Sequence, residues 1–328
     1  MYKNFFKLAR NPFDITPDPA CFVPTERHNE ALAALYHGVR QHKGFVVLTG
    51  EVGTGKTLLL RCLLGLLKES KDVAYAYLFN GRLSPTEFLQ YILTDFGLPA
   101  AGKSKYELLL DLGRFLASRG SEKMTTVLIV DEAHHLSADI LEEVRLLSNL
   151  ETTNDKLLQI VLVGQPELDA KLDSTGLRQL KQRIAVRTHL NALNADETKC
   201  YIQRRLQIAG HDPKGSSLIS EESISTVYCY SRGLPRLINT ICENSLMAAY
   251  ARRSLQVTPE VVEYVAKELR LDLVHSPISA GVGDQRQIDA QRAMNALLDL
   301  FVALEGIAGN SAADSHGAIE VSKDEPYI

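Results

Sequence analysis

Several features are scarce or missing in this chain, and each absence narrows the field. Five cysteines, Cys21, Cys62, Cys200, Cys229 and Cys242, are spread over 328 residues with no C-x-x-C pair. That pattern points to a reducing compartment and away from a cysteine-bound metal cluster. No apolar run approaches the ~20 residues that a membrane-crossing helix needs. The opening MYKNFFKLARNPF carries basic residues but no apolar core of signal-peptide length. A cytoplasmic protein is therefore expected. Positive charge is not in excess either, since the formal net charge is −4. No global basic field advertises a nucleic-acid partner, although a local patch would not register in that sum. No internal repeat is found.

What is present is ample apolar material, 45% of the residues, in a chain long enough for two domains. Apolar runs alternate with helical patterns. FVVLT, VAYAYLF, TTVLIV, LLQIVLVG and IAVRTHL read as five strands. TERHNEALAALYHGVRQ, capped by Thr25, lies ahead of the first strand, and between later strands lie SPTEFLQYILTDFG, with a Ser84 and Glu87 capping box and Pro85 in the first turn, YELLLDLGRFLAS and ADILEEVRLLSNLE. Continuous apolar strands separated by helices predict a parallel sheet covered on both faces. From about Asn194 the strand signals stop and four helical patterns follow. The expected layout is an α/β domain over residues 1–193 and a small all-helical domain over 194–273. Residues 274–328 then form a linker, an amphipathic helix with Met294, Leu297, Leu298, Phe301, Val302 and Leu304 on one face, and a polar tail. That helix docks either on its own protein or on a partner.

The stretch LTGEVGTGKTLLLR fits G-x-x-x-x-G-K-[ST] between a buried-strand run and a helix. Gly50, Gly53 and Gly55 free the backbone so that the amides of residues 50–57, Glu51, Val52 and Thr54 included, turn toward phosphate oxygens at a helix N-terminus. Lys56 is placed for the β- and γ-phosphates and Thr57 for Mg²⁺. In TTVLIVDEAHHL, Asp131 ends a strand expected beside this loop, where it would hold Mg²⁺ through water. Glu132 would orient or deprotonate an attacking water. His134 and His135 are not read as metal ligands, because adjacent helical residues diverge and H-E-x-x-H is absent. Gln165, at the end of QIVLVGQPEL, offers a donor and an acceptor toward a γ-phosphate or water. A plain turn is the alternative there.

Arginines complete the constellation. GLRQLKQRIAVRTHL puts Arg178, Lys181, Arg183 and Arg187 at a helix-to-strand junction, and phosphoryl transfer commonly draws on an arginine supplied in trans. YSRGLPRLINTIC puts Arg236 on a turn that opens a helix, where an approaching anion would explain it. A capping turn with a solvated arginine is the other explanation.

The ordered set GEVGTGKT, LIVDEAHHL, LVGQPEL, LKQRIAVR and GLPRLIN, preceded by NPFDITPDPACFVPTERHNEAL, resembles AAA+ ATPases of the ExeA/GspA type. These are associated with general secretion and with similar pilus or exopolysaccharide export loci. The resemblance covers about residues 2–273. It implies ATP and Mg²⁺ as ligands, residues 50–57 as Walker A, and Asp131 and Glu132 as Walker B. Gln165 becomes the first sensor, Arg183 the arginine finger with Arg178 in reserve, and Arg236 the second sensor. Residues 11–27 would wrap the adenine side. It further implies a homo-oligomeric ring or filament, and a secretion or envelope partner that recruits the protein to the inner membrane. Larger members continue into a membrane span and a peptidoglycan-binding region that this sequence does not show, so only the cytosolic motor carries over. A related group, transposition ATPases of the TniB/TnsC kind, works on DNA. A nucleotide switch with negligible turnover is the third reading.

Overall fold

The computed structural model describes residues 2–14, 16, 18–79, 83–152, 155–212 and 217–271, all within the unit Met1–His275. The amphipathic pattern expected around Met294 and the polar tail after it lie outside the described residues.

Five parallel strands form one sheet: β1 (Phe45–Gly50), β2 (Val73–Leu78), β3 (Thr125–Val130), β4 (Gln159–Gly164) and β5 (Ile184–Leu190). Their order is β2-β3-β4-β1-β5. Every residue of the three central strands is buried, whereas β2 and β5, at the two edges, are partly exposed. Burial on both faces is why FVVLTG, TTVLIV and QIVLVG read as continuous apolar runs. The two-residue period of a strand then sorts side chains between two cores. Phe45, Val47, Leu128, Val130, Ile160 and Leu162 pack under α4 (Pro85–Asp95), α5 (Lys105–Ser121) and α6 (Ala138–Leu147). Val46, Leu48, Val127, Ile129, Val161 and Val163 pack on the opposite face with α2 (Glu26–Arg40) and α3 (Lys56–Glu69).

The expected caps are in place. Thr25 accepts from the His28 amide at the start of α2, and the Ser84 and Glu87 box closes α4. Three short helices had no periodic signal long enough to be read: α1 (Tyr2–Phe5), α7 (Pro166–Leu172) and α8 (Arg178–Lys181). One expectation about the sheet is corrected. The strand that carries Asp131 does not lie beside β1, because β4 pairs with both and separates them. The acidic pair and the phosphate loop meet across the end of β4, which puts Gln165 between them.

After β5 the described chain is helical: α9 (Ala195–Ile208), α10 (Glu221–Ser231), α11 (Pro235–Ala251) and α12 (Pro259–Glu268). Their common core contains Tyr201, Ile202, Ile238, Ile241 and Leu246, and also Tyr2, Phe6, Leu8 and Phe13 from the opposite end of the sequence. The Tyr2 hydroxyl donates to the Glu243 carboxylate, with 2.8 and 2.7 Å to its two oxygens. The buried Arg205 guanidinium donates to the carbonyls of Pro12 at 2.6 Å and Asp14 at 3.0 Å. A buried cation has to be matched by such acceptors, so the N-terminal segment is fastened to the helical region.

The helical region meets the sheet at a turn. Gly233 has φ +70°, and its carbonyl accepts from the Leu193 amide at 2.9 Å. A Cβ on Gly233 would stand 1.8 Å from the Leu193 carbonyl oxygen. Only glycine fits, both for the dihedral and for the approach.

Candidate nucleotide-binding site

The loop between β1 and α3 forms the floor of a cavity of about 370 Å³. Gly53, Gly55, Lys56, Thr57, Glu132 and Gln165 line it from the sheet side, and Tyr201, Arg205, Pro235, Arg236 and Asn239 from the helical side. Asp14, Thr16 and Asp18 complete the wall, so residues of the N-terminal segment share one cavity with the phosphate loop. Gly53 has φ +85° and a Cβ there would come within 2.9 Å of the Arg236 Cβ, while the Arg236 amide donates to the Gly53 carbonyl at 3.2 Å. The glycine is what lets the loop and the first turn of α11 touch.

Lys56 is buried and its Nζ donates to the carbonyls of Gly50 at 2.7 Å and Glu51 at 2.9 Å. Burial pulls this ammonium below the usual lysine value, and the carboxylates of Glu132 and Asp131 work in the opposite direction. Thr57 Oγ1 donates to Asp131 Oδ2 at 3.2 Å. The same oxygen accepts from the Tyr77 hydroxyl at 2.9 Å, and Oδ1 accepts from the Glu132 amide at 2.9 Å. Burial, and then the neighbouring Asp131, push the Tyr77 phenol well above its ordinary range, so it remains a donor.

Glu132 takes up a left-handed backbone, φ 52° and ψ 35°, uncommon for a residue with a Cβ. Lys171 of α7 braces the turn by donating to the carbonyls of His134 at 2.6 Å and Leu136 at 2.7 Å. The Gln165 side-chain amide stands 3.4 Å from Glu132 Oε2. The two histidines depart from the helical expectation. His134 and His135 belong to a 3-10 turn, Ala133–His135, not to an α-helix, and their rings lie against each other, tilted by 41° with centroids 4.0 Å apart. Glu132, His134 and His135 bring one ligand atom each within 4.8 Å of one another. Tautomer chemistry, not divergence, argues against a metal there. His134 Nδ1 accepts from the Gln165 amide at 3.3 Å, which in the neutral ring puts the proton on Nε2.

The four cations of the helix-to-strand junction part company. Lys181 pairs with Asp173, and Arg187 with Asp169 and Asp173. Arg183 Nη1 donates to the Arg145 carbonyl at 3.0 Å and to Ser148 Oγ at the end of α6. Arg178 is exposed. None of the four lines the cavity.

Three residues are not singled out by any sequence motif. His28 is buried, and its Nδ1 accepts from the Thr25 hydroxyl at 2.7 Å while Nε2 donates to the Thr54 carbonyl at 3.2 Å, propping the phosphate loop from α2. Burial lowers its pKa from the ordinary 6.5, in keeping with the neutral ring. Tyr77 and Arg205 are the others, although the buried-strand position of Tyr77 was a visible signal. Gly233, the glycine of GLPR, was legible as a turn residue, but its contact with Leu193 was not.

Comparison with known proteins follows the same lines. A family model described as "AAA domain" matches residues 39–172. General secretion pathway protein A of Aeromonas hydrophila is 44% identical over 271 residues, 82% of this chain. The chain spans about half, 48%, of the length of that relative. The ATP-dependent target DNA activator B of Escherichia phage Mu is 25% identical over 261 residues, covering 78% of this chain and 76% of its own. Among solved structures, Cdc6p from Pyrobaculum aerophilum superposes with a TM-score of 0.59 at 21% identity, over 78% of this chain and 70% of that one. The chain thus has the AAA+ P-loop fold, with an AAA domain at residues 39–172, and over most of its length it is similar to an ATPase of the ExeA/GspA type.

Proposed function

We propose that this chain binds ATP with Mg²⁺ and hydrolyses it as part of a homo-oligomeric ring or filament, acting in the cytoplasm in support of secretion or envelope assembly. The observation that carries the reading is convergence. Lys56, Thr57, Asp131, Glu132 and Gln165 project from the ends of β1, β3 and β4, and Arg236 reaches the same cavity from α11.

Each residue has a role that its chemistry supports. Backbone amides of residues 50–57 and the dipole of α3 bind the phosphates. Lys56 exchanges its two loop carbonyls for phosphate oxygens. The Thr57 hydroxyl and the Asp131 carboxylate, 3.2 Å apart, are hard oxygen donors of the kind Mg²⁺ prefers and would hold it through water. When bound, that ion neutralises charge on the β- and γ-phosphates. Glu132 takes the proton of the attacking water, Gln165 orients that water, and Arg236 senses the γ-phosphate. Arg183, with Arg178 as alternative, reaches a neighbour's site in trans. The division at residues 193 and 273 is part of the same proposal, with residues 2–13 travelling with the helical part.

Recruitment to the inner membrane by a protein partner is part of the same reading; no helix among the described residues is long and apolar enough to cross a membrane. The similarity to a phage DNA activator supports a second reading, a transposition regulator, against which the net charge of −4 weighs. Lys56→Ala tests the common core: tight ATP binding should disappear, and unchanged affinity overturns the reading. Duplex DNA affinity that falls steeply with salt would favour the second reading. Loss of protein export on gene deletion would favour the first.

A further inference from the structure

We propose that His134 is a positioning residue for hydrolysis, its imidazole fixing the Glu132 carboxylate relative to Gln165; the inference rests on the hydrolase reading of this site. The ring lies in the angle between the two. Only 7% of the side chain is exposed. On one edge Nδ1 accepts from the Gln165 backbone amide at 3.3 Å, and on the other Nε2 stands 3.5 Å from Glu132 Oε2. The Gln165 side-chain amide approaches that same oxygen at 3.4 Å. One carboxylate oxygen thus faces two N–H groups whose positions are both set by the corner where β4 enters α7. The contacts are long for hydrogen bonds, as such contacts often are before substrate is bound.

The need for a positioning group comes from the backbone. Glu132 sits at φ 52°, a conformation uncommon for a residue with a Cβ, and it persists because the surroundings hold it. Lys171 fixes the carbonyl side of the turn. The His135 ring packs against the His134 ring, the two tilted by 41°. The His134 ring itself touches both the glutamate and the β4–α7 corner. A transition metal on Glu132, His134 and His135 is disfavoured by the same geometry. It would move the imidazole proton to Nδ1, against the Gln165 amide.

The test uses the full chain with ATP and Mg²⁺ and two substitutions. His134→Leu fills the space without a donor, and His134→Gln carries a side-chain N–H to the Nε2 position. His134→Leu should lower turnover about a hundredfold, the scale of a misplaced catalytic group, while ATP affinity stays within about twofold, the signature of a group that matters only in the transition state. His134→Gln should recover at least about tenfold of that loss. In a Glu132→Gln background, His134→Leu should add nothing. Turnover of His134→Leu near that of the unaltered chain, equal loss in both variants, or a parallel fall in ATP affinity overturns the proposal. Should His134→Leu not fold, His134→Gln decides alone, and a loss beyond about a hundredfold overturns it. No turnover by the unaltered chain overturns the hydrolase reading and this inference with it. A turning-over chain indifferent to His134 overturns only the inference.

Discussion

Arg183 reaches back along its own chain, Nη1 donating to the Arg145 carbonyl at 3.0 Å. That bond holds one nitrogen of the guanidinium fork at the C-terminal end of α6, where carbonyls lack helical partners. The remaining nitrogens have no bond among the described residues, so the group is oriented without being consumed. Arg178, exposed at the start of α8, has no such tether among the described residues. A finger held in advance loses less freedom when it acts.

If Arg183 acts in trans, ATPase activity per subunit rises with protein concentration. Arg183→Ala should keep ATP binding and lose about a thousandfold in turnover, as when other arginine fingers are removed. Mixed with Lys56→Ala subunits, which keep the finger, it should recover activity that neither has alone. A silent mixture of subunits shown to co-assemble, with Arg178→Ala as the inactive variant instead, would transfer the role to Arg178.

Glu132→Gln should bind ATP and Mg²⁺ as the unaltered chain does and hydrolyse about 10²–10⁴-fold more slowly, the usual contribution of a general base. Single-turnover kinetics separate the two effects. Normal turnover would move the base elsewhere.

Gly233→Ala puts a Cβ 1.8 Å from the Leu193 carbonyl oxygen at a positive φ. The turn has to shift, with a loss of about 3 kcal/mol from strain and overlap. Thermal denaturation should show it, and an unchanged melting temperature would mean that the helical region reseats freely.

Arg205→Met keeps much of the buried volume and removes the donors to Pro12 and Asp14. Residues 2–25 should then exchange amide hydrogens faster, and stability should fall by about 2 kcal/mol for the lost charged hydrogen bonds. Undiminished protection of that segment would show that Phe13 and its neighbours hold it alone.

His28 supplies a pH dependence. Its folded pKa is below the unfolded 6.5 because burial disfavours the charged ring. Below 6.5 the unfolded chain therefore binds more protons than the folded one, so the stability contribution is full above that value and is lost as pH falls through the folded pKa. The chain should melt at progressively lower temperature as pH drops from about 7 to about 5, and His28→Gln should flatten that slope. Identical slopes would assign the acid sensitivity to other groups.

Much of this molecule is written locally. Five apolar runs, two-residue sorting of side chains, the caps at Thr25, Ser84 and Glu87, and the glycines and lysine of the phosphate loop each need only neighbours in sequence, because strand period, cap chemistry and loop dihedrals are short-range properties. The sequence by itself therefore determined the sheet, the loop, and the acidic pair at the end of β3. Strand order was decided elsewhere. No local signal tells β4 to stand between β1 and β3, yet that placement brings Gln165 to Glu132. The short 3-10 turn that brings His134 against His135 is braced by Lys171, which binds the carbonyls of His134 and Leu136 from another helix, and helical periodicity gave the opposite expectation. His28, Tyr77, Arg205 and Gly233 acquire their contacts from residues 26, 54, 193 and 40 positions away respectively. Buried polar groups must find partners wherever the packed chain offers them, and for those four residues only the tertiary structure decides which partners they are.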